Sequence, residues 1–177
     1  MEFGKEGPPE IRVGPLEGDE EAAACARLMA ESEPWVTLRR DYEECLALFR
    51  SPDREVWIAR LAGRPVGFAV LALRGAFPGY LQSLAVEPAL RGRGVGARLL
   101  RFVEERVFRE WPNLFVCVSS FNRDARRFYE RFGYREAGEL EDYIVEGHSE
   151  ILLRKTVGPI AGFRPSPGGR MAGKEKR

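Results

Sequence analysis

One short stretch limits this chain more than any other: Arg91-Gly92-Arg93-Gly94-Val95-Gly96. It lies between an apolar, strand-like run at 80–86 and a segment where Val95, Leu99, Val103 and Val107 recur at helical spacing. A strand turning through glycines into a helix points to a crossover unit, and so to a mixed α/β domain. Glycine lets the backbone turn and approach a ligand with no Cβ in the way. Successive N–H groups then converge on one point, helped by the positive end of the helix dipole. Arg91 and Arg93 add fixed charge. Such a loop suits a pyrophosphate. A tight turn flanked by helix-surface arginines would carry the same residues, so spacing alone leaves both readings open.

The rest of the pattern extends this unit in both directions. Upstream, 11–13 reads as a short strand, a helix opens at Asp19, and Pro34 stops it. Thr37 can cap a second helix in which Leu38, Tyr42, Cys45, Leu46 and Phe49 recur. Strands follow at 55–61 and 65–73, joined by a hairpin turn at Gly63-Arg64, and another at 80–86. Downstream, the helix from Val95 stops at Trp111-Pro112, and 114–118 is an almost wholly apolar, buried strand. Asn122 then caps a helix whose stripe is Ala125, Phe128, Tyr129 and Phe132, with Gly133 closing it. Strands at 134–137 and 150–157 finish the domain, with a further short strand expected at 143–145. The order is β-α-α-β-β-β-α-β-α-β-β, an α+β mixed sheet with an antiparallel first part and helical crossovers later. Residues 1–9 read as a loose lead-in, 10–157 as one domain, and 158–177 as a basic Gly/Pro-rich tail, extended or disordered.

Two familiar phosphate motifs are excluded. Gly-Lys-Ser/Thr is absent, which argues against NTP hydrolysis. Gly92-x-Gly94-x-x-Ala97 formally fits a dinucleotide fingerprint. However, five residues separate it from Val86, it lies mid-chain, and no acid ends the next strand. Instead, Leu84-Ala85-Val86-Glu87-Pro88 followed by the 91–96 run resembles motif A of the GNAT N-acetyltransferases, Gln/Arg-x-x-Gly-x-Gly/Ala. The likeness continues through Asn122-Arg123-Asp124-Ala125 and Phe128-Tyr129-Glu130-Arg131-Phe132-Gly133-Tyr134, which match the family's second signature. It covers about 55–157.

The resemblance implies a GNAT acyl-CoA N-acyltransferase fold with acetyl-CoA as co-substrate, held in a V-shaped opening between the fourth and fifth strands. It implies that the pantetheine arm pairs with Leu84, Ala85 and Val86, and the pyrophosphate with the amides of Arg91, Gly92, Arg93, Gly94, Val95 and Gly96. Asn122 would contact the CoA arm. Tyr129 would face the sulfur and protonate it as general acid, with the Val86 N–H as oxyanion donor. Tyr129 also lies on an apolar stripe, where a core tyrosine would look the same. The base does not carry over, because the matching positions are Tyr80 and Cys117. A water relay through Gln82, or an acid from elsewhere, remains open. Cys117 has no nearby histidine to activate it and reads as a buried strand residue.

Charge is the last clue. The 177 residues hold 28 Lys+Arg and 27 Asp+Glu, a net charge of +1 that argues against a general nucleic-acid binder. The sum hides segments of opposite sign. Residues 91–109 are net +4 and 123–135 net +3, whereas 17–33 are net −5 and 136–150 net −6. The acidic run is either a solvated face or a loop that presents Glu139, Glu141, Asp142 and Glu146 to a cationic acceptor amine. Glu141 and Asp142 are the substrate candidates, and His148 reads as a turn residue. Three separated cysteines and one histidine argue against a zinc site and point to reduced thiols in the cytoplasm. No metal, membrane or nucleic-acid partner is expected. A homodimer stays open, as does a non-catalytic CoA-binding sensor of the same fold. The acceptor is a small-molecule or protein amine.

Overall fold

The computed structural model describes residues 10–166. The expected lead-in at 1–9 and the tail from 167 onward lie outside the described residues. Seven strands form one sheet: β1 (Ile11–Pro15), β2 (Glu55–Leu61), β3 (Arg64–Ala72), β4 (Tyr80–Val86), β5 (Asn113–Ser119), β6 (Arg135–Leu140) and β7 (Glu150–Thr156). Their spatial order is β1-β2-β3-β4-β5-β7-β6. Every neighbouring pair is antiparallel except β4 and β5. That parallel pair is joined by α3 (Val95–Phe108), the crossover that a parallel connection requires. The other helices are α1 (Gly18–Ala30), α2 (Tyr42–Phe49) and α4 (Arg123–Arg131).

The sheet has an apolar layer on each face. Leu99, Leu100, Val103 and Val107 of α3 are fully buried against Ala69, Leu71 and Leu81. On the opposite face, Ala22, Ala26 and Met29 of α1 and Phe49 of α2 pack on Ile58, Phe68 and Val70. Strand β3 is buried on both sides, which explains its unbroken apolar run. At about 1.5–3 kcal/mol for each large side chain removed from water, these two layers dominate the stabilisation.

Local chemistry sets the boundaries. The second helix begins at Tyr42, not near Thr37. Asp41 accepts from the Glu44 N–H at 2.8 Å and the Glu44 carboxylate accepts from the Asp41 N–H at 3.2 Å, a complete capping box. Arg39 lies in the left-handed region (φ 55°), which breaks any helix before it, and Thr37 instead bonds Glu33. The β2–β3 hairpin turns on Ala62 and Gly63, both at positive φ (50° and 79°), one residue earlier than the sequence indicated. Residues 143–145 form turn rather than strand. Asp142 at φ 49° and Gly147 at φ 83° bend this loop, and the Gly147 N–H donates to the Asp142 carboxylate at 2.6 Å. The start of the expected tail is tied down, since the Ser166 N–H donates to the Arg109 carbonyl at 2.9 Å. Among the described residues, no helix is long and apolar enough to cross a membrane.

Candidate functional site

The site begins as a defect in the sheet. Leu71 pairs with Leu81 and Val70 with Ser83, so Gln82 is an extra residue on β4. A bulge bends and twists its strand. β4 and β5 pair only at Tyr80 with Phe115 and Leu81 with Val116, and then part. The opening is a cleft of about 760 Å³ that also reaches the α1–α2 side of the sheet. The Glu87 N–H donates to the Val66 carbonyl at 2.9 Å. Strand amides alternate in direction, so those of Leu84 and Val86 face away from β3, into the opening, while Ala85 faces β3. The free edge of β4 is thus a template for an extended ligand.

Beyond Val86 the chain makes a short 3₁₀ turn and enters the glycine run. Gly92 (φ 75°) and Gly94 (φ 85°) are both left-handed, and a Cβ on either would meet nothing within 4 Å. Backbone conformation, not space, requires glycine there. Gly96 differs: its Cβ would sit 3.6 Å from Val86 Cγ2 and 3.7 Å from Phe128 Cζ, within the packing of α3. The first helical bond of α3 runs from the Arg98 N–H to the Gly94 carbonyl at 2.9 Å. The Val95, Gly96 and Ala97 amides therefore have no partner within the helix. Arg91 Nε donates to the Val86 carbonyl at 3.1 Å, fixing the loop to the strand. Arg93 and Arg98 hold no carboxylate among the described residues, whereas Arg106 is buried in a pair with Glu55 at 2.6 Å. Orphan amides, left-handed glycines and free guanidiniums together suit a phosphorylated anion.

Helix α4 supplies the next wall. The Asn122 carboxamide accepts from the Ala125 N–H at 3.2 Å, and the helix closes with paired bonds from Gly133 to Glu130 and from Tyr134 to Tyr129. Both Asn122 and Tyr129 line the cleft. Tyr129 is 5% exposed, packed against Phe128 and Tyr134. Burial raises its pKa, so the phenol keeps its proton. The core and cleft roles coincide in one residue.

The rest of the cleft lining was largely hidden in the sequence. Burial pushes the Tyr80 phenol and the Cys117 thiol up, so neither is a base at neutral pH. Glu150 is the residue that sequence reasoning missed. It opens β7 directly across from Ser119 of β5, is 4% exposed, and lines the cleft. Ser119 Oγ donates to Glu150 Oε1 at 2.6 Å. Burial raises the Glu150 pKa above the usual carboxylate range, against the lowering effect of the Ser119 bond. Arg54, also missed, reaches the cleft through a bond from its Nε to Gln82 Oε1 at 2.5 Å. Gln82 thus holds an arginine. Of the six acids in 136–150, Glu150 alone lines the cleft, and the loop contributes Tyr143 and Ile144 instead of Glu141 and Asp142. His148 packs against the Phe121 ring at 4.9 Å.

Comparison with known proteins follows the same contour. The model of the acetyltransferase (GNAT) family matches residues 20–134. An uncharacterized N-acetyltransferase of Methanocaldococcus jannaschii is 36% identical over 105 residues, 56% of this chain and 64% of that protein. The chain thus spans less than two thirds of that relative. The N-alpha-acetyltransferase RimI of Mycobacterium tuberculosis is 28% identical over 78% of this chain and 88% of its own. The structure of an acetyltransferase of Salmonella typhimurium with its cofactor acetyl-CoA superposes with a TM-score of 0.68 at 16% identity, covering 85% of this chain and 95% of that one.

Proposed function

Since the chain belongs to the acetyltransferase (GNAT) family, we propose that it is an N-acetyltransferase that passes an acetyl group from acetyl-CoA directly to an acceptor amine. The observation that carries this reading is that Glu150 and Tyr129 line one cleft, which opens where β4 and β5 part. Acetyl-CoA would supply the activated thioester. Leu84 and Val86 would bind its arm through their outward amides, and Asn122 would lie beside it. The amides from Arg91 to Gly96 would bind its phosphates, with Arg93 and Arg98 adding charge.

Glu150 takes the proton that the acceptor ammonium must lose before attack. Its raised pKa brings it nearer neutrality, where a general base works best. Ser119 holds one carboxylate oxygen and so fixes the direction of the other. The Val86 N–H faces the opening, suited to charge that develops on the carbonyl oxygen during attack. Tyr129 holds a proton at its Oη for the departing sulfur. The base that the sequence left unassigned is thus supplied by β7. This favours turnover over a non-catalytic sensor, which would have no use for a buried carboxylate. The three unpaired thiols agree with a reducing cytoplasm.

Thiol release from acetyl-CoA across an amine panel tests the reading. Steady release with at least one amine is expected. Tyr129→Phe should lower kcat by about tenfold or more while leaving acetyl-CoA affinity within about twofold. An unchanged kcat with chemistry rate-limiting would remove Tyr129 as the acid. No release with any amine would remove the enzyme.

A further inference from the structure

The acidic run reads either as a solvated face or as a loop for a cationic amine, yet the cleft itself is bipolar. Glu150 stands on the β5–β7 wall, and Arg54 stands on the β4 wall through its bond to Gln82. Arg54 is unusual among the sheltered arginines. Arg60 pairs with Glu21 at 2.6 Å and Arg106 with Glu55 at 2.6 Å. Arg40, the other cation lining the cleft, has Glu44 at 3.7 Å. Arg54 has no carboxylate within ion-pairing distance among the described residues. Its Nε is committed to Gln82 and its Nη1 to the Asp53 carbonyl at 3.2 Å, which fixes the plane of the guanidinium. Nη2 has no protein partner among the described residues. A half-buried guanidinium, oriented by two bonds and with no carboxylate beside it, is suited to one.

We propose that Arg54 binds a carboxylate on the acceptor, so that the substrate is an amino acid: an amine delivered to Glu150 and a carboxylate held by Arg54 across the same cleft. Trp35 and Leu38, in the segment that joins α1 to α2, also line the cleft and offer an apolar surface to the carbon skeleton. The inference rests on the acetyltransferase reading and specifies its acceptor. The bulge gives it structural sense. The same extra residue that accompanies the parting of the sheet, Gln82, places its carboxamide where it orients Arg54. A polar site built for one group discriminates against the analogue that lacks it, because the site's own polar group is then left without its partner.

The test is a set of matched acceptors, α-, β- and ω-amino acids each assayed beside its own carboxamide, with acetyl-CoA saturating. At least one acid should exceed its carboxamide by about tenfold or more in kcat/KM, chiefly through KM. In Arg54→Gln that ratio should collapse toward one, and Arg54→Lys should keep part of it. The ratio cancels any general loss from altered folding, and the wild-type ratio needs no variant at all. Equal kcat/KM for every acid and its carboxamide would overturn the carboxylate site while leaving the acetyltransferase standing. An acid preference that survives Arg54→Gln would overturn the role of Arg54. Failure of every acceptor, with acetyl-CoA still raising the melting temperature, would overturn the transfer reaction and this proposal together.

Discussion

The two parts of the site, backbone and side-chain, are built on opposite principles. The β4–α3 wall is local: Leu84 to Gly96 is thirteen consecutive residues, and what it offers a ligand is backbone. Amides point outward because a strand alternates, and they converge because Gly92 and Gly94 are left-handed. The side-chain wall is assembled from four separate segments around the cleft. Arg54 precedes β2, Gln82 is the β4 bulge, Ser119 ends β5 and Glu150 begins β7. A backbone site tolerates changes in side chain and fails when conformation changes. A side-chain site fails when one group is neutralised, even though the fold persists.

The largest expected effect lies on the side-chain wall. Glu150→Gln keeps shape and a partner for Ser119 but removes the proposed base. kcat should fall by about a hundredfold or more. The deficit should narrow as pH rises toward the pKa of the acceptor amine, because amine that is already free needs no base. Stability should move the other way. With its folded pKa raised, Glu150 binds its proton more tightly in the folded state than in the unfolded one. Its contribution is fully present below the unfolded value, about 4.3, and is lost as pH climbs to the higher folded value. At neutral pH the native chain carries the full penalty of a buried charge. The variant should therefore be no less stable at pH 7, and its stability should fall less across that acidic window. A kcat within twofold of wild type would leave the site without its base, and an equal loss at every pH would point to a structural role.

A smaller effect should separate the glycines of the other wall. Gly94→Val forces a β-branched residue into left-handed backbone, a cost of about 1–2 kcal/mol. The loop can relieve this only by turning its amides away, so acetyl-CoA affinity should fall about tenfold or more. Gly96→Ala puts a Cβ at ordinary contact distance from Val86 and Phe128. It should leave acetyl-CoA affinity within about twofold in Kd and change stability by under ~1 kcal/mol, the scale of the gain in helix propensity. Titration calorimetry with thermal melts reads both variants. Equal losses would mean that Gly96, too, lies against the ligand.

This contrast explains what could be read in advance. The order of strands and helices follows from periodicity, and the strand-turn-helix unit from residues 84 to 96 is contiguous. Asn122 could be placed because a cap is a local event. Glu150 was visible only as one of six acids in 136–150. Its role comes from burial and from Ser119, 31 residues away. Arg54 carries no local signal at all, and its place in the cleft comes from Gln82, 28 residues away. The second helix was misplaced for a related reason. Leu38 extends the apolar pattern backwards, but it is buried in a turn closed by Glu33, and the capping box at Asp41 sets the true start. Tertiary burial makes the same apolar pattern as a helix.

The smallest predicted effect tests the wall that composition pointed to. Residues 136–150 are net −6, yet Glu141 and Asp142 do not line the cleft. Asp142 is occupied locally, as it accepts from the Gly147 N–H in a residue at positive φ. Asn tolerates that conformation and can accept the same bond, so Glu141→Gln with Asp142→Asn removes two charges and leaves the loop its shape. Both carboxylates are exposed, and charges in contact with solvent are weakened by its high dielectric and by salt. kcat/KM should therefore stay within about twofold of wild type for every amine accepted at about 0.1 M salt. A larger fall that grows as salt is lowered would show the loop steering a cationic acceptor from a distance. Expected instead is a flat salt response, because the anion that matters is Glu150, sheltered from the solvent that screens the others.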